Sequence, residues 1–353
     1  MNKMKKTGLW LGITTLTLSL AVLHFPTWTP KIKGTNPIHV LEQVKINGTG
    51  HEIMIRGQDL DNPVILYLHG GPGASELPYA KKVQDLLESQ FTIVNYDQRA
   101  SGKSYHFFED YSNLSANLLV EDALAVTDYI TQRLGKKKVI LMGHSYGTYI
   151  GTLAAHRAPD KYEAYIGIGQ MADTQQSEMD GWNYVMEQAQ LADNHEDVDQ
   201  LADNHEDVDQ LEQIYEPIKQ GQAFTPRDIV KRYGGTSRLM DSPDTSFLGM
   251  TFSHEYNMLD AIRYNKGIIY SQEILISEAM SRPLPSLITK LDLPFYFVMG
   301  DYDLMTSSHA AKVFFDQIEG NQKQFIAYNN SAHYPHYEEK QRFLDWMVDT
   351  FIK

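Results

Sequence analysis

A mostly parallel β-sheet with helices on both faces, interrupted by one inserted helical block, is the fold class this sequence predicts. Three observations carry the prediction. Short apolar runs alternate with helix-period segments, the pattern of strand, turn and helix in succession. Several of those runs end in glycine-rich turns, as helices crossing between parallel strands require. The alternation then fails between residues 171 and 285 and resumes afterwards.

In chain order, His51–Arg56 alternates as an edge strand, and Val64–Leu68 is a fully apolar run ending in Gly70-Gly71-Pro72-Gly73. A helix is expected over Leu77–Ser89, then a strand over Phe91–Tyr96. Leu114–Leu134 has helical spacing, with Gly135 as its stop. Val139–Met142 is a short buried strand, followed by Gly143-His144-Ser145-Tyr146-Gly147 and a helix to about His156. Tyr165–Ile168, Phe295–Met299 and Phe325–Tyr328 supply further strands, with helices over Ser308–Ile318 and Tyr337–Phe351. The core is therefore expected over 31–170 and 286–353, with a helical cap over 171–285.

The cap contains a tandem repeat: LADNHEDVDQ occupies 191–200 and again 201–210. Ten residues fall about 80° short of three helical turns, so the two copies cannot share one face, and at least one is expected to kink or loop out. The acidic run from Asp193 to Asp199 is expected to form a solvated face. The spacing lacks the central Gly and distant Glu of a calcium loop.

Composition narrows the function classes. Lys plus Arg total 31 against 45 Asp plus Glu, a net charge of −14, which disfavours nucleic acid as a partner. The absence of cysteine removes disulfides, thiolate zinc sites and thiol nucleophiles. Four His-Glu pairs, beginning at His51, His195, His205 and His254, lack a second His four residues after the first, so the zinc-protease motif is absent. No cofactor or metal is expected. At the N-terminus, Lys3, Lys5 and Lys6 precede an uncharged stretch from Thr7 to Leu23. Residues 8–25 could cover about 27 Å as a helix, so 1–30 is read as an uncleaved lipid-bilayer anchor with the catalytic domain outside the cytoplasm. A cleaved secretory signal is the alternative.

The chemistry lies at the strand ends. G-x-S-x-G between a short strand and a helix is the context in which Ser145 becomes a nucleophile, with Oγ lifted clear at a strained turn. A hydroxyl needs a base, and the base an orienter. Asp303 and His333 follow later strands in the expected order, favoured over their neighbours Asp301 and His336 by loop offset. The Tyr146 N–H and an N–H from the loop 69–73, with Gly71 favoured, are expected to form the oxyanion hole.

The combination HGGPG at 69–73, DQRASGKS at 97–104, GHSYG at 143–147, GDYD at 300–303 and SAH at 331–333 resembles the proline iminopeptidase branch of the α/β-hydrolases. The resemblance covers about residues 50–170 and 290–352. It implies an α/β-hydrolase fold and a cap-covered serine aminopeptidase that releases an N-terminal residue, often proline, from a small peptide. Ser145, Asp303 and His333 would be its triad, and Arg99 would brace the loop beside the site. Some family members carry a Glu directly after the triad Asp to hold the substrate ammonium; here that residue is Leu304. Glu178, Glu255 and Glu273 of the cap are the candidate carboxylates in its place. A carboxylesterase acting on neutral acyl substrates, and a catalytically silent binding module, are the competing readings.

Overall fold

The structure is a computed structural model that describes residues 23–193, 201–240 and 247–352. Eight strands form one sheet: β1 (Ile38–Ile46), β2 (Thr49–Gly57), β3 (Val64–Leu68), β4 (Thr92–Tyr96), β5 (Val139–His144), β6 (Tyr162–Ile168), β7 (Phe295–Gly300) and β8 (Lys323–Tyr328). Their spatial order is β1-β2-β4-β3-β5-β6-β7-β8. From β4 through β8 every neighbouring pair is parallel, and β1 and β2 add an antiparallel edge.

That edge corrects the sequence reading of His51–Arg56. This segment belongs to β2, which lies between β1 and β4, and the edge strand is β1. Asn47 and Gly48 join them as a two-residue turn with φ of 47° and 90°, flanked by the pair Ile46 and Thr49. Asn-Gly is the dipeptide such a turn prefers, because both positions need positive φ.

The strands' two-residue period divides the core. Leu66, Leu68, Leu141 and Phe297 face one layer, together with Val126 and Ile130 of α2 (Ala116–Leu134) and Ile150 of α3 (Tyr146–Arg157). Ile65, Tyr67, Ile140, Met142 and Val298 face the other, against Phe343 and Met347 of α12 (Lys340–Phe351). Helix α2 starts at Ser115, whose side chain accepts the Leu118 N–H at 3.3 Å, and stops at Gly135 with φ 64°. Between β3 and β4 only α1 (Ala80–Val83) and a 3₁₀ turn at Leu87–Ser89 form, in place of the expected long helix. Glu88 in that turn is buried in an ion pair with Arg56 at 2.7 Å, a tertiary contact that outweighs local helix preference. After α10 (Ser308–Gln317), the C-terminal helix is likewise broken at Glu339, giving α11 (Pro335–Glu338) and α12.

Between β6 and β7 lie α4 (Thr174–Asp193), α5 (Leu201–Lys219), α6 (Arg227–Arg232), α7 (Phe247–Thr251), α8 (Met258–Ser281) and α9 (Leu284–Leu287). Val185, Leu211, Ile229 and Val230 give α4–α6 a small core of their own. The second repeat copy opens α5; residues 194–200 of the first lie outside the described residues. The acidic run expected to be solvated therefore falls almost entirely outside them, while Asp207 of the second copy is buried and accepts two 2.7 Å hydrogen bonds from Arg232. The expected anchor falls mostly on residues outside those described, and among the described residues no helix is long and apolar enough to cross a membrane.

Candidate active site

The site is assembled where β3, β5, β7 and β8 end. Ser145 sits between β5 and α3 with φ 54° and ψ −125°, a strained conformation for a side-chain-bearing residue. The turn is held by its neighbours: the Ser145 N–H donates to Ile168 O at 3.0 Å, and its carbonyl accepts the Thr148 N–H at 2.8 Å. Tyr146 is the first residue of α3, so its N–H has no partner within the helix. Its side chain is buried and stacked on Tyr149, which leaves only its backbone for chemistry.

The loop after β3 passes against this turn. A Cβ on Gly70 would lie 2.7 Å from Ser145 Cβ and 2.9 Å from His144 O, so only glycine allows the approach. Gly70→Ala is expected to lower kcat/KM about 100-fold, the scale of a 1 Å misplacement, measured beside a circular dichroism spectrum that shows the fold intact.

Asp303 and His333 meet. The ring Nδ1 lies 2.9 Å from Asp303 Oδ2, and both side chains are buried. Asp303 is fixed from its other side: Oδ1 accepts the N–H groups of Met305 and Thr306 at 2.9 Å each, and Oδ2 also accepts the Thr306 hydroxyl. The rivals are engaged elsewhere. Asp301 accepts Asn329 Nδ2 at the surface, and His336 faces the Tyr67 hydroxyl at 3.1 Å. Burial lowers the His333 pKa; Asp303 opposes this, while His144 and Arg227 add to it. The ring is thereby held toward its neutral, basic form. Gly169, with φ 53°, leaves space beneath the pair, since a Cβ there would lie 3.0 Å from His333 Nδ1 and 3.2 Å from Asp303 Oδ2.

A buried group absent from the sequence expectations connects these parts. Glu76 accepts hydrogen bonds from the Tyr67 and Tyr337 hydroxyls and lies 3.1 Å from His144 Nδ1. The other nitrogen, His144 Nε2, lies 3.0 Å from the His333 carbonyl oxygen, and the two rings are 4.7 Å apart. His144 thus ties the residue before Ser145 to the loop carrying His333. Both of its nitrogens face oxygen atoms, Nδ1 the Glu76 carboxylate and Nε2 the His333 carbonyl. Burial acts to raise the Glu76 pKa, but the hydrogen bond and charge of His144 outweigh it and hold the carboxyl below its ordinary range. The partners come from positions 67, 144 and 337, a convergence with no local signal.

The loop after β4 latches onto the same place. Gln98 donates its side-chain amide to His69 O at 2.7 Å and its backbone N–H to His69 Nε2 at 3.1 Å. Asp97 accepts from Ser75, from the Tyr256 hydroxyl at 2.7 Å and from the Lys103 N–H at 2.6 Å. Burial pushes its pKa up to about 7, against those three donors. Arg99 bonds Asp122 through Nε at 2.7 Å and Nη2 at 2.8 Å, so it braces the loop. Helix α8 closes over both loops: Ser271 donates to Ala100 O, and the Gly267 carbonyl lies at the edge of the space beside Gly73.

The three cap carboxylates are not brought together. Glu178 is buried and paired with Arg227 at 2.5 Å, also accepting the Thr225 N–H. Glu255 is buried and paired with Lys81 at 3.0 Å, also accepting from Thr29. Glu273 is exposed on α8, beside Gln272 and Ile276 on an outer groove of the cap.

A sequence model for the family described as alpha/beta hydrolase fold matches residues 63–340. The Probable aminopeptidase YbaC of Bacillus subtilis (strain 168) is 28% identical over 309 residues, covering 87% of this chain and 94% of that protein. The Lysophosphatidylserine lipase ABHD12 of Danio rerio is 33% identical over 101 residues, only 28% of this chain and 25% of that one. Among solved structures, the proline iminopeptidase of Mycobacterium smegmatis superposes with TM-score 0.59 at 17% identity, covering 88% of this chain and 97% of that chain. The esterase EaEST of Exiguobacterium antarcticum gives 0.55 at 18% identity, covering 90% and 100%. The two solved structures share the fold, and the family match spans most of the sequence: the chain belongs to the α/β-hydrolase fold family.

Proposed function

We propose that this hydrolase is a serine aminopeptidase that releases the N-terminal residue of short peptides through an acyl-enzyme. The observation that carries the reading is the buried His333–Asp303 pair, tied through His144 to the strained turn that bears Ser145. In this reading His333 takes the Ser145 proton, Asp303 stabilises the imidazolium, and Ser145 attacks the scissile carbonyl. The Gly71 and Tyr146 N–H groups receive the oxyanion, and water then releases the acyl group. The preference for a free amine is supported by the similarity to YbaC, which extends over 87% of the chain. The uncharged run beginning at Thr7 supports an exported, membrane-anchored location.

A carboxylesterase is the second reading, favoured by the engagement of Glu178 and Glu255 in ion pairs and by Leu304 after Asp303. A panel of free-amino aminoacyl amides, their N-blocked forms and short-chain esters separates the two. The aminopeptidase reading expects at least about 100-fold preference for the free amine, comparable to about 2.7 kcal/mol of ammonium recognition. Equal rates with blocked amines and faster ester cleavage would replace it with the esterase.

Within this mechanism Glu76 and His144 are positioning residues for His333. In Glu76→Gln the carboxylate that faces His144 Nδ1 is replaced by a neutral amide, and the ring is held less firmly beside His333. His144 acts to lower the His333 pKa, so loosening its hold is expected to raise that pKa and move the acid limb of kcat/KM to higher pH, by about one unit, equivalent to about 1.4 kcal/mol. A pH–rate profile reads this directly; a variant that only loosened the fold would lower the plateau without moving the limb.

A further inference from the structure

The chain just after the uncharged N-terminal run is pinned to the cap, and an apolar surface surrounds the point of attachment. Asn257 Nδ2 donates to Phe25 O at 3.0 Å, and the Trp28 N–H donates to His254 O at 3.0 Å. The Trp28 ring meets His254 edge-on with centroids 5.3 Å apart. Thr27 accepts from Lys103 at 2.9 Å, and Thr29 accepts from Arg56 at 2.7 Å while donating to Glu255. Phe25 to Pro30 therefore lie along the core and cap and do not form a free tether.

Phe25, Trp28 and Phe252 line one groove of about 350 Å³ with Pro26 and Met258. Phe252 follows α7, and its N–H bonds Leu248 O, so Leu248 and Phe252 share a face. The side chains are unusually open: Phe25 is 58% exposed, Trp28 47%, Leu248 63% and Phe252 80%. Scattered apolar residues are ordinary on a surface; four large ones grouped around a chain entry point are not.

We propose that this cap face, formed by Phe25, Trp28, Leu248 and Phe252, rests against the lipid bilayer in which the N-terminal segment is anchored. The uncharged run ends at Leu23, two residues before Phe25. Two residues reach at most about 7 Å, so a segment spanning the hydrocarbon puts Phe25 in the headgroup zone. Because Phe25 and Trp28 are fixed to Asn257 and His254, the neighbouring Leu248 and Phe252 follow them to that depth. Trp28 has the amphipathic ring suited to the interface. Tyr256, next to the groove, donates to Asp97 and so connects this face to the active-site loops. The proposal rests on the membrane-anchored location proposed above and is independent of which substrate the site takes.

The lack of cysteine makes a single label straightforward. The full-length chain carrying Phe252→Cys is labelled with a polarity-sensitive fluorophore and reconstituted in phosphatidylcholine–phosphatidylglycerol vesicles, with and without acyl-chain bromine. Lys137→Cys, in the exposed turn before β5, is the control. Leu248→Cys is a second reporter, and circular dichroism checks each variant's fold. The expected result is at least twofold quenching by brominated lipid at positions 252 and 248 and none at 137. Quenching at 252 and 248 by aqueous iodide alone, at the level seen for 137, would overturn the proposal. So would failure of the full chain to float with the vesicles.

Discussion

Asp303→Asn is expected to lower kcat about 10⁴-fold, the size found when a triad carboxylate loses its charge without loss of geometry. The surrounding hydrogen bonds explain why so small a change is so costly. Oδ1 holds the N–H groups of Met305 and Thr306, so the amide of the variant must keep its oxygen there. Its NH₂ group then faces His333 Nδ1, which lies 2.9 Å from Oδ2 in the native site. A donor at that point forces Nδ1 to accept, moves the ring proton to Nε2, and leaves no basic nitrogen to take a hydroxyl proton from serine. Steady-state kinetics measure the loss, and a thermal transition within a few degrees of wild type shows that it is chemical. A loss below tenfold would remove Asp303 from the mechanism.

Ser145→Ala is expected to be costlier, about 10⁶-fold in kcat, since it removes the atom that forms the covalent bond in the proposed mechanism. The strained backbone of residue 145 is set by the Ile168 and Thr148 hydrogen bonds, neither of which uses the hydroxyl. The variant should therefore fold as the native chain does and retain substrate affinity, a separation that equilibrium binding and turnover can measure together.

The reasons why some features could be read from the sequence and others not are physical. Ser145 is legible because a strand, a tight turn and a helix must follow one another, and each leaves a local trace: the apolar run Val139–Met142, Gly143 and Gly147, and the helical spacing to about His156. Asp303 and His333 are legible because parallel strands deliver their loops to one end of the sheet, making chain order informative. The β1–β2 hairpin had a signal in Asn47-Gly48, but the flanking Ile38–Ile46 is an edge strand with mixed exposure and no clean alternation. The missing helix at Leu77–Ser89 is a tertiary override, in which Arg56 draws Glu88 inward. The network at Glu76 is the least legible part. Tyr337 reaches it across 261 positions and His144 across 68, and an isolated Glu after a glycine-rich loop reads as a solvent-facing residue. The roles expected of Glu178 and Glu255 from charge alone are altered by Arg227 and Lys81, whose proximity is likewise a product of folding.

The central claim is that Ser145 is the nucleophile of a His333-assisted acyl transfer. Its most direct test is reaction of the wild-type chain with a serine-directed fluorophosphonate, followed by intact-mass and peptide mapping alongside residual activity. One adduct per chain, located on Ser145, with activity lost in proportion to labelling and no adduct in Ser145→Ala, is the predicted result. Turnover that survives complete labelling, or a stoichiometric adduct on another residue, would contradict it.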